Sequence, residues 1–212
     1  MDDPKLQQRL LKSSVGIAGA GGLGSNIAMA LARAGVGNLI IVDFDEVEES
    51  NLNRQYYFRD QIGILKTEAL KFNIQRAITT CDVTIINRKL EKGSMHEPFA
   101  DVDVVVEALD AASTKARFIE DVLINLPGKP LVAASGVAGY GGSERISLRV
   151  SGSLHLVQDP RSKSSDEGVL LAPKVGLMAH YQANTVLELL LGVEQLPGYD
   201  VQGFEEGMGE EK

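Results

Sequence analysis

Short runs of consecutive apolar residues alternate along most of this chain with longer segments in which apolar residues recur every three or four positions. The runs are typical of strands covered on both faces of a parallel sheet, and the longer segments are typical of amphipathic helices. Strands are predicted in SVGIAG, NLIIVDFD, DVTIINRKL, DVDVVVEALD and KPLVAASG. This alternation predicts an α/β fold with a mostly parallel, doubly wound sheet and right-handed crossovers.

Segments with helical periodicity precede, separate and follow these strands. DPKLQQRLLKSS predicts a short N-terminal helix with Leu6, Leu10 and Leu11 on one side. The other predicted helices are AGGLGSNIAMALARAG, KTEALKFNIQRAI, STKARFIEDVLINL and APKVGLMAHYQANTVLELLLG. Ser113 is the expected N-cap of the helix in STKARFIEDVLINL.

The pattern changes after Gly136, where glycines precede two short alternating segments separated by a Ser-Gly turn. This stretch, GVAGYGGSERISLRVSGSLHLVQD, predicts an antiparallel hairpin added to the edge of the sheet. The polar PRSKSSDEG that follows is expected to be mobile. We therefore expect a single domain over residues 1–192 and an acidic, flexible tail over residues 193–212.

The composition mainly excludes certain classes of protein and of site. The net charge of -8 argues against a nucleic-acid-binding surface, because phosphate binding of that kind needs a basic field. Cys81 is the only cysteine, so neither an internal disulfide nor a cysteine-based zinc site is expected. No apolar segment resembles a signal peptide or a membrane span, so we expect a soluble cytoplasmic protein.

GAGGLG follows the first predicted strand and begins a predicted helix, which is the setting that a nucleotide-binding glycine loop requires. Gly19 allows the tight turn, Gly21 lets the backbone approach a phosphate, and Gly24 allows close packing of helix on strand. Asp43 ends the second strand about twenty residues later, where an acid accepts hydrogen bonds from ribose hydroxyls. We assign these residues, with Gly22, to nucleotide binding; NAD and ATP both fit this fingerprint.

The segment VDFDEVEESNLNRQYYFRDQIGILKTEAL distinguishes the two nucleotides. It carries Arg54, Arg59 and Lys66 soon after the predicted ribose acid. The pyrophosphate of NAD needs only a backbone cradle, whereas breaking ATP requires cations that neutralise the departing phosphates. Asp110, at the carboxyl end of the fourth predicted strand, is a candidate magnesium ligand. Together these residues favour nucleotidyl transfer.

GAGGLGS, VDFDEVEESNLNRQ, the downstream Lys66 and EALDAA together resemble the adenylation domain shared by the ThiF, MoeB and HesA proteins and the ubiquitin-activating enzymes. The resemblance covers residues 13–192, and SNLNRQ is its most specific part. The segments ASGVAGYG and GVLLAPKVGLMAHYQAN are most similar to the short ThiF type, which serves the sulfur carrier ThiS in thiamine thiazole biosynthesis. The resemblance implies a Rossmann-like fold and a carrier-protein adenylyltransferase.

Proteins of this family use ATP and magnesium to adenylate the C-terminal glycine of a small ubiquitin-like carrier that ends in Gly-Gly. By resemblance, Asn51 and Arg54 contact the phosphates and Lys66 neutralises the leaving group. Asp110 binds the metal, and Gln55 lies against the nucleotide. A carboxylate is already nucleophilic, so the reaction needs alignment and charge neutralisation more than a general base. The resemblance also implies a homodimer.

The chain departs from the family pattern in several places. The two CxxC pairs that hold zinc in many relatives are missing, so no zinc site is expected. No cysteine follows Cys81, so we expect the reaction to stop at the acyl adenylate. Arg9 is the only candidate for the N-terminal arginine that relatives extend to the nucleotide of a partner subunit.

Other interpretations stay open. An NAD-dependent oxidoreductase shares the glycine fingerprint, although no substrate domain or catalytic His, Lys and Tyr set is visible. A non-catalytic scaffold would bind a ubiquitin-like partner. Within the family, the carboxylate could belong to a carrier for molybdopterin or cysteine synthesis, to a small molecule or to tRNA. Arg145, Arg149 and Arg161, near SGVAGYGG, are candidate contacts for an acidic carrier.

Overall fold

A mostly parallel sheet forms the centre of the computed structural model, which describes residues 3–163 and 168–192. Seven strands are found there: β1 Ser14–Ala18, β2 Asn38–Asp43, β3 Asp82–Asn87, β4 Val104–Glu107, β5 Leu131–Ser135, β6 Ser147–Ser151 and β7 Leu154–Gln158. Their order across the sheet is β3-β2-β1-β4-β5-β7-β6. The predicted tail, residues 193–212, and part of the predicted mobile segment, residues 164–167, lie outside the described residues.

Neighbouring strands run parallel except β6 and β7, which form an antiparallel hairpin at the edge. Five α-helices accompany them in the described part of the chain: α1 Pro4–Lys12, α2 Gly22–Ala34, α3 Lys66–Ala77, α4 Ala112–Asn125 and α5 Ala172–Leu191. Helices α2, α3 and α5 cover one face of the sheet, and α4 covers the other. The predicted doubly wound α/β fold with an edge hairpin is confirmed.

Alternate residues of the central strands supply two layers of core. In β1, Val15 and Ile17 pack on the face covered by α2 and α5. The opposite face carries Gly16, where an added Cβ would lie 2.4 Å from Cδ1 of Phe99. Phe99 meets Phe118 of α4 edge-on, with ring centroids 5.6 Å apart. Because both faces are buried, the strand reads in the sequence as a continuous apolar run.

The polar segment between β2 and α3 folds into two short 3₁₀ helices, Glu49–Asn51 and Arg59–Gln61. It is held against α3 by a pair of buried amides: Gln61 Nε2 donates to Asn73 Oδ1 at 2.8 Å, and Asn73 Nδ2 donates to Gln61 Oε1 at 3.0 Å. Reciprocal hydrogen bonds satisfy both buried side chains. The segment therefore has a defined course past the end of the sheet.

Two local predictions are wrong. Ser113 does not cap α4, because Ala111 occupies the N-cap position and no side chain caps the helix. Instead, the Asp110 carboxylate accepts a hydrogen bond from Ala111 N–H at 2.7 Å, just before the helix begins. In α1, Leu10 is 1% exposed but Leu11 is 50% exposed. Consecutive helical residues point about 100° apart, so a narrow contact buries only one of the two.

No helix in the described ranges combines the length and the apolarity needed to cross a membrane.

Gly24 is expected to reject any side chain, because a Cβ there would lie 1.9 Å from the carbonyl oxygen of Gly19. We predict that Gly24→Ala lowers the free energy of unfolding by about 1–3 kcal/mol through overpacking against backbone. Gly176→Ala in α5 is the matched control, since nothing lies within 4 Å of its Cβ position. That control should raise stability by about 0.5–1 kcal/mol. Urea unfolding measures both, and equal effects would contradict the close helix–strand contact.

Candidate functional site

A cleft of about 460 Å³ opens at the carboxyl ends of β1, β2 and β4. The strand order reverses between β1 and β4, so the loops that follow these strands leave in opposite directions. Ligands of open α/β sheets collect in the crevice at such a switch point. Most predicted site residues line it: Gly19, Gly21, Asp43, Asn51, Arg54, Gln55, Lys66 and Asp110.

The glycine loop leads from the end of β1 into the first turn of α2. Gly19 has a φ of 99°, in the left-handed region that favours glycine. Its N–H donates to Val42 O at 2.8 Å. Gly21 lines the cleft at the N-cap position of α2. Because the first N–H groups of a helix lack intrahelical acceptors and carry the positive dipole end, this turn offers an anion site to the cleft.

Gly22 and Gly24, also predicted to bind the nucleotide, do not line the cleft. A Cβ on Gly22 would lie 3.1 Å from Cγ1 of Val175 in α5, and one on Gly24 would overlap the Gly19 carbonyl. These two glycines let α2 pack closely on its neighbours. Their direct contact with a nucleotide stays a prediction.

Asp43 fastens the glycine loop to the end of β2. Its Oδ2 accepts a hydrogen bond from Ala20 N–H at 2.6 Å. Its Oδ1 accepts from the N–H groups of Phe44 and Asp45 at 2.7 and 2.8 Å. Three backbone donors thus hold the carboxylate in one orientation at the cleft wall. An ionised carboxylate has about four lone-pair sites, so a ribose hydroxyl can still donate to it.

Asn51 holds a turn of the polar segment and is 7% exposed. Its Oδ1 accepts from Glu48 N–H at 3.2 Å, and the Glu48 side chain accepts from Asn51 N–H in return. Its Nδ2 donates to Ser50 Oγ at 3.2 Å. Since an amide nitrogen has two protons, the second proton on Nδ2 is what Asn51 can offer to a phosphate.

Arg54 and Gln55 carry polar atoms that lack partners. Nη1 of Arg54 donates to Ser50 O at 2.9 Å and to Asn53 Oδ1 at 2.7 Å. Nε of Arg54 and Oε1 of Gln55 are buried without a hydrogen-bonding partner among the described residues. An orphaned buried donor or acceptor costs about 1–3 kcal/mol. A ligand that supplies one acceptor and one donor at this wall would satisfy both.

Lys66 is the first residue of α3 and points its ammonium group at the cleft. Its side chain is 8% exposed, and Nζ lies 2.8 Å from Oδ2 of Asp45. A buried ammonium group needs a partner of opposite charge. Asp45 is 45% exposed, so the pair joins one buried cation to one largely hydrated anion.

Asp110 is exposed just past the end of β4, and the residues beneath it fix its loop. Glu107 is fully buried; its Oε1 accepts from Leu109 N–H at 2.8 Å, and its Oε2 lies 2.7 Å from Nζ of Lys115. Lys115 also donates to Ala134 O at 2.9 Å. Burial raises the pKa of Glu107, and the Lys115 charge opposes that rise. The loop is thereby tied to α4 and β5.

Within residues 3–163 and 168–192, no group of three or more His, Cys, Asp or Glu side chains is arranged to hold a metal ion. Magnesium seldom needs such a cage, because it keeps several waters and binds one or two carboxylates together with substrate phosphates. The exposed carboxylate of Asp110 in the cleft fits that mode. The residues present therefore suit magnesium only in company with a bound phosphate chain.

One wall of the cleft was not foreseen from the sequence. Phe44 is 53% exposed there, and Nζ of Lys89 lies 5.7 Å from its ring centroid. Leu90 and Leu109 add apolar surface. A flat ring beside the ribose acid suits a nucleobase, which stacks on aromatic faces. Phe44 directly follows Asp43, so its place in the cleft could have been predicted from the sequence. Lys89 follows β3, and it lies near Phe44 only because β3 pairs with β2.

A second cavity of about 580 Å³ lies beside the edge hairpin. Asp159 there is fully buried, with its carboxylate 2.5 Å from Nζ of Lys174 and 3.2 Å from Nε of Arg145. Burial alone raises the pKa of Asp159, but hydrogen bonds from Lys174 and Arg145 outweigh it and lower the pKa to about 2. Of the predicted carrier contacts, Arg145 and Arg161 line this cavity and Arg149 does not.

Two other predicted cations lie outside the cleft. Arg59 is 81% exposed and pairs with Glu49 at 3.3 Å. Nη1 of Arg9 donates to Leu191 O at 2.8 Å, so this side chain joins α1 to the end of α5 within its own chain. Both therefore have local contacts that explain their positions.

The family model described as the ThiF family matches residues 2–203. The adenylyltransferase and sulfurtransferase UBA4 of Candida glabrata is 33% identical over 206 residues, which are 94% of this chain and 46% of that protein. The sulfur carrier protein ThiS adenylyltransferase of Escherichia coli is 33% identical over 207 residues, which are 93% of this chain and 81% of that protein. The chain thus spans about half the length of the UBA4 relatives it matches.

Solved structures share the fold. The tRNA N6-threonylcarbamoyladenosine dehydratase TcdA of E. coli, in complex with AMP, has a TM-score of 0.79 and 22% identity, covering 88% of this chain and 89% of that one. E. coli MccB with ATP has a TM-score of 0.71 and 21% identity, covering 87% and 57%. At such identities the likeness shows the fold alone, and it confirms the Rossmann-like class.

Lys174→Met tests the buried cluster, because it keeps the apolar stem and leaves Asp159 with Arg145 as its charged partner. Removing one of its two cations leaves the buried carboxylate only partly compensated, so we predict that the free energy of unfolding falls by about 3 kcal/mol at neutral pH. Lys163→Met, at the same cavity but exposed, is the matched control and should change stability by less than about 0.5 kcal/mol.

The effect of Lys174→Met on the free energy of unfolding should depend on pH. With the pKa of Asp159 at about 2 in the folded protein, stability from its ionised form is present above its unfolded pKa and is lost as pH falls through about 2. The stability gap between wild type and Lys174→Met should therefore narrow below about pH 4. Urea unfolding across this range measures the gap, and a gap that stays constant would contradict the ion-pair account.

Proposed function

The chain belongs to the ThiF family, and we propose that it is an ATP-dependent adenylyltransferase that activates the C-terminal glycine carboxylate of a small ubiquitin-like sulfur carrier ending in Gly-Gly. Curated relatives with the name adenylyltransferase support this activity. The observation that carries the proposal is the cleft. It brings a ribose-type acid, the amino end of a helix, the cations Arg54 and Lys66 and the exposed carboxylate of Asp110 to one crevice.

The proposed reaction forms a bond between a carboxylate oxygen of the carrier and the α-phosphorus of ATP. The bond from that phosphorus to the bridging oxygen breaks, and pyrophosphate leaves with the electron pair. The carboxylate is already ionised, so no proton has to be moved. The barrier then depends on aligning two anions and on neutralising the leaving group. Arg54 and Lys66 in the cleft lining suit this chemistry, and no histidine is among the described residues that line the cleft.

The described contacts suggest how the nucleotide would be held. Asp43 would accept hydrogen bonds from the ribose, and Gly21 with the first turn of α2 would face the phosphates. Lys66 would exchange Asp45 for a phosphate oxygen, and the exposed Asp45 can turn to water. Arg54 would gain an acceptor for its unpartnered Nε. Lys66 would thus replace one partner by another and Arg54 Nε would gain one, so both cations can accommodate an anion in the cleft.

Asp110 would hold magnesium together with phosphate oxygens and water. When bound, the ion would add positive charge beside the leaving group. The Glu107–Lys115 pair beneath the loop limits how far Asp110 can move. Asp110 can therefore serve as a fixed ligand for the ion.

We further propose that an acidic carrier meets the second cavity near the edge hairpin. Arg161 lines that cavity and forms no ion pair among the described residues, unlike Arg145, which is held by Asp159. Lys163 lies on the same cavity wall. Among the described residues at this cavity, Arg161 and Lys163 are therefore available to an acidic carrier.

A ThiS-like carrier of thiamine thiazole synthesis is the preferred substrate, since the chain covers 81% of the ThiS adenylyltransferase of E. coli at 33% identity. The family resemblance also supports a cytoplasmic homodimer. A carrier for molybdopterin or cysteine synthesis, a small-molecule carboxylate and tRNA are the alternatives. The first experiment below distinguishes one carrier from another and a carrier from the other two substrates.

The first test is ATP–pyrophosphate exchange with magnesium, with and without carriers ending in Gly-Gly. We expect exchange to require one carrier, with ThiS tried first, because exchange needs the acyl adenylate to form and reverse. The same carrier without its last glycine is the matched control and should give no exchange. ATP binding without exchange for any carrier would favour the scaffold or small-molecule alternatives. Binding of NADH in place of ATP would overturn the assignment.

Arg54→Ala and Asp110→Ala should each lower the exchange rate by at least about a hundredfold, because they remove charge from the transition state. Both should leave the fold intact, since both side chains lie at the cleft rather than in the core. Arg59→Ala is the control, because its side chain is 81% exposed outside the cleft. Circular dichroism checks the fold. Global unfolding of either variant, or exchange at the wild-type rate, would count against the roles.

A further inference from the structure

Tyr57 joins three segments that carry proposed phosphate contacts, and we infer that it is a positioning residue for phosphate binding. It lies three residues after Arg54 and is 5% exposed. Its hydroxyl donates to Ala20 O of the glycine loop at 2.6 Å and lies 3.3 Å from Lys66 O at the start of α3. One buried hydroxyl therefore links the glycine loop, the polar segment and the helix that carries Lys66.

The bond to Ala20 O sets the direction of a phosphate-facing donor. Ala20 C=O and Gly21 N–H belong to one peptide unit, which is planar and trans, so the two groups point in opposite directions. With the carbonyl held by Tyr57, Gly21 N–H points away from that buried side. No acceptor for this N–H is present among the described residues, and Gly21 lines the cleft. Tyr57 thus orients an N–H group that is available to an anion.

The loop needs such an external constraint because its own residues supply little. Gly19 and Gly21 flank Ala20, and glycine adopts many backbone conformations with little cost. Ala20 is held from both sides: its N–H donates to Asp43 Oδ2 at 2.6 Å, and its C=O accepts from Tyr57. Asp43 is assigned to the ribose, so Tyr57 supplies the remaining constraint on the phosphate-facing peptide.

The Tyr57 hydroxyl is protonated at neutral pH and can therefore donate. Burial raises the pKa of Tyr57 well above its ordinary value, and the charges of Asp43 and Asp45 raise it further. The group therefore keeps its proton, and its bond to Ala20 O does not depend on pH near neutrality. Phenylalanine at this position would keep the packed ring and remove only the donor.

The neighbouring Tyr56 offers a matched control. It is half-buried, and its hydroxyl makes no hydrogen bond within the described ranges. Its backbone N–H donates to Ser25 Oγ at 3.0 Å, and a change of side chain leaves that donor in place. Tyr56→Phe therefore removes a hydroxyl from the same polar segment and leaves the side-chain contacts of the glycine loop unchanged.

The experiment compares Tyr57→Phe and Tyr56→Phe by calorimetric titration with ATP and with adenosine. Adenosine has the ribose and the base but no phosphate, so its affinity should stay within about twofold in both variants. ATP affinity should fall about tenfold in Tyr57→Phe only, because a misdirected Gly21 N–H weakens only phosphate contacts. In pyrophosphate exchange, the same variant should show a raised KM for ATP.

A merely structural role would lower the thermal midpoint of Tyr57→Phe and leave the ratio of ATP to adenosine affinity unchanged, and that result would overturn the inference. The inference rests on the proposed function, and wild-type protein that binds no ATP would overturn that function instead. If Tyr57→Phe folds only in part, the folded fraction is counted from the melting amplitude. The affinities then refer to folded molecules, and the ratio of ATP affinity to adenosine affinity still tests the inference.

Discussion

The whole cleft depends on how closely α2 approaches the end of β1. A single methyl group on Gly24 would overlap the Gly19 carbonyl, so the helix begins directly against the strand it follows. This contact brings the amino end of α2 to the sheet edge, beside the carboxyl ends of β2 and β4. Asp43 and Tyr57 then reach the same loop from two other segments. The anion site, the ribose acid Asp43 and the cations Arg54 and Lys66 lie together because Gly24 lets α2 pack directly against the end of β1.

Much of this arrangement is readable from the sequence, since it rests on local rules. Continuous apolar runs marked the buried strands, and GAGGLG after such a run marked the loop and its helix. The carboxyl ends of parallel strands share one edge, which is why Asp43 and Asp110 were expected in one crevice. Ser113 was wrong as the N-cap because α4 begins at Ala112, with Ala111 at the N-cap position and no side-chain cap.

The rest depends on contacts between distant residues that no local pattern encodes. Lys89 reaches Phe44 only because β3 pairs with β2 at the sheet edge. Asp159 follows β7 and Lys174 lies in α5, fifteen residues later, and no local pattern predicts that the two side chains pair. Tyr57 stands in no motif of the polar segment, although its hydroxyl links the glycine loop to the start of α3. Buried polar groups of this kind are visible only when the partner of each donor is known.

The resting partners of the cations explain how an acidic chain can carry an anion site. Lys66 is nearly buried and would be costly without a counter-charge, so Asp45 stabilises it before any ligand arrives. Because Asp45 is largely hydrated, giving up the pair costs it little, and a phosphate oxygen can take its place on Lys66. Arg54 differs, since its Nε has no resting partner to lose. Phosphate binding would therefore replace the contact of Lys66 with Asp45 and give Arg54 Nε a new one. The local pairing of these cations, rather than the net charge of -8, determines whether the cleft can bind an anion.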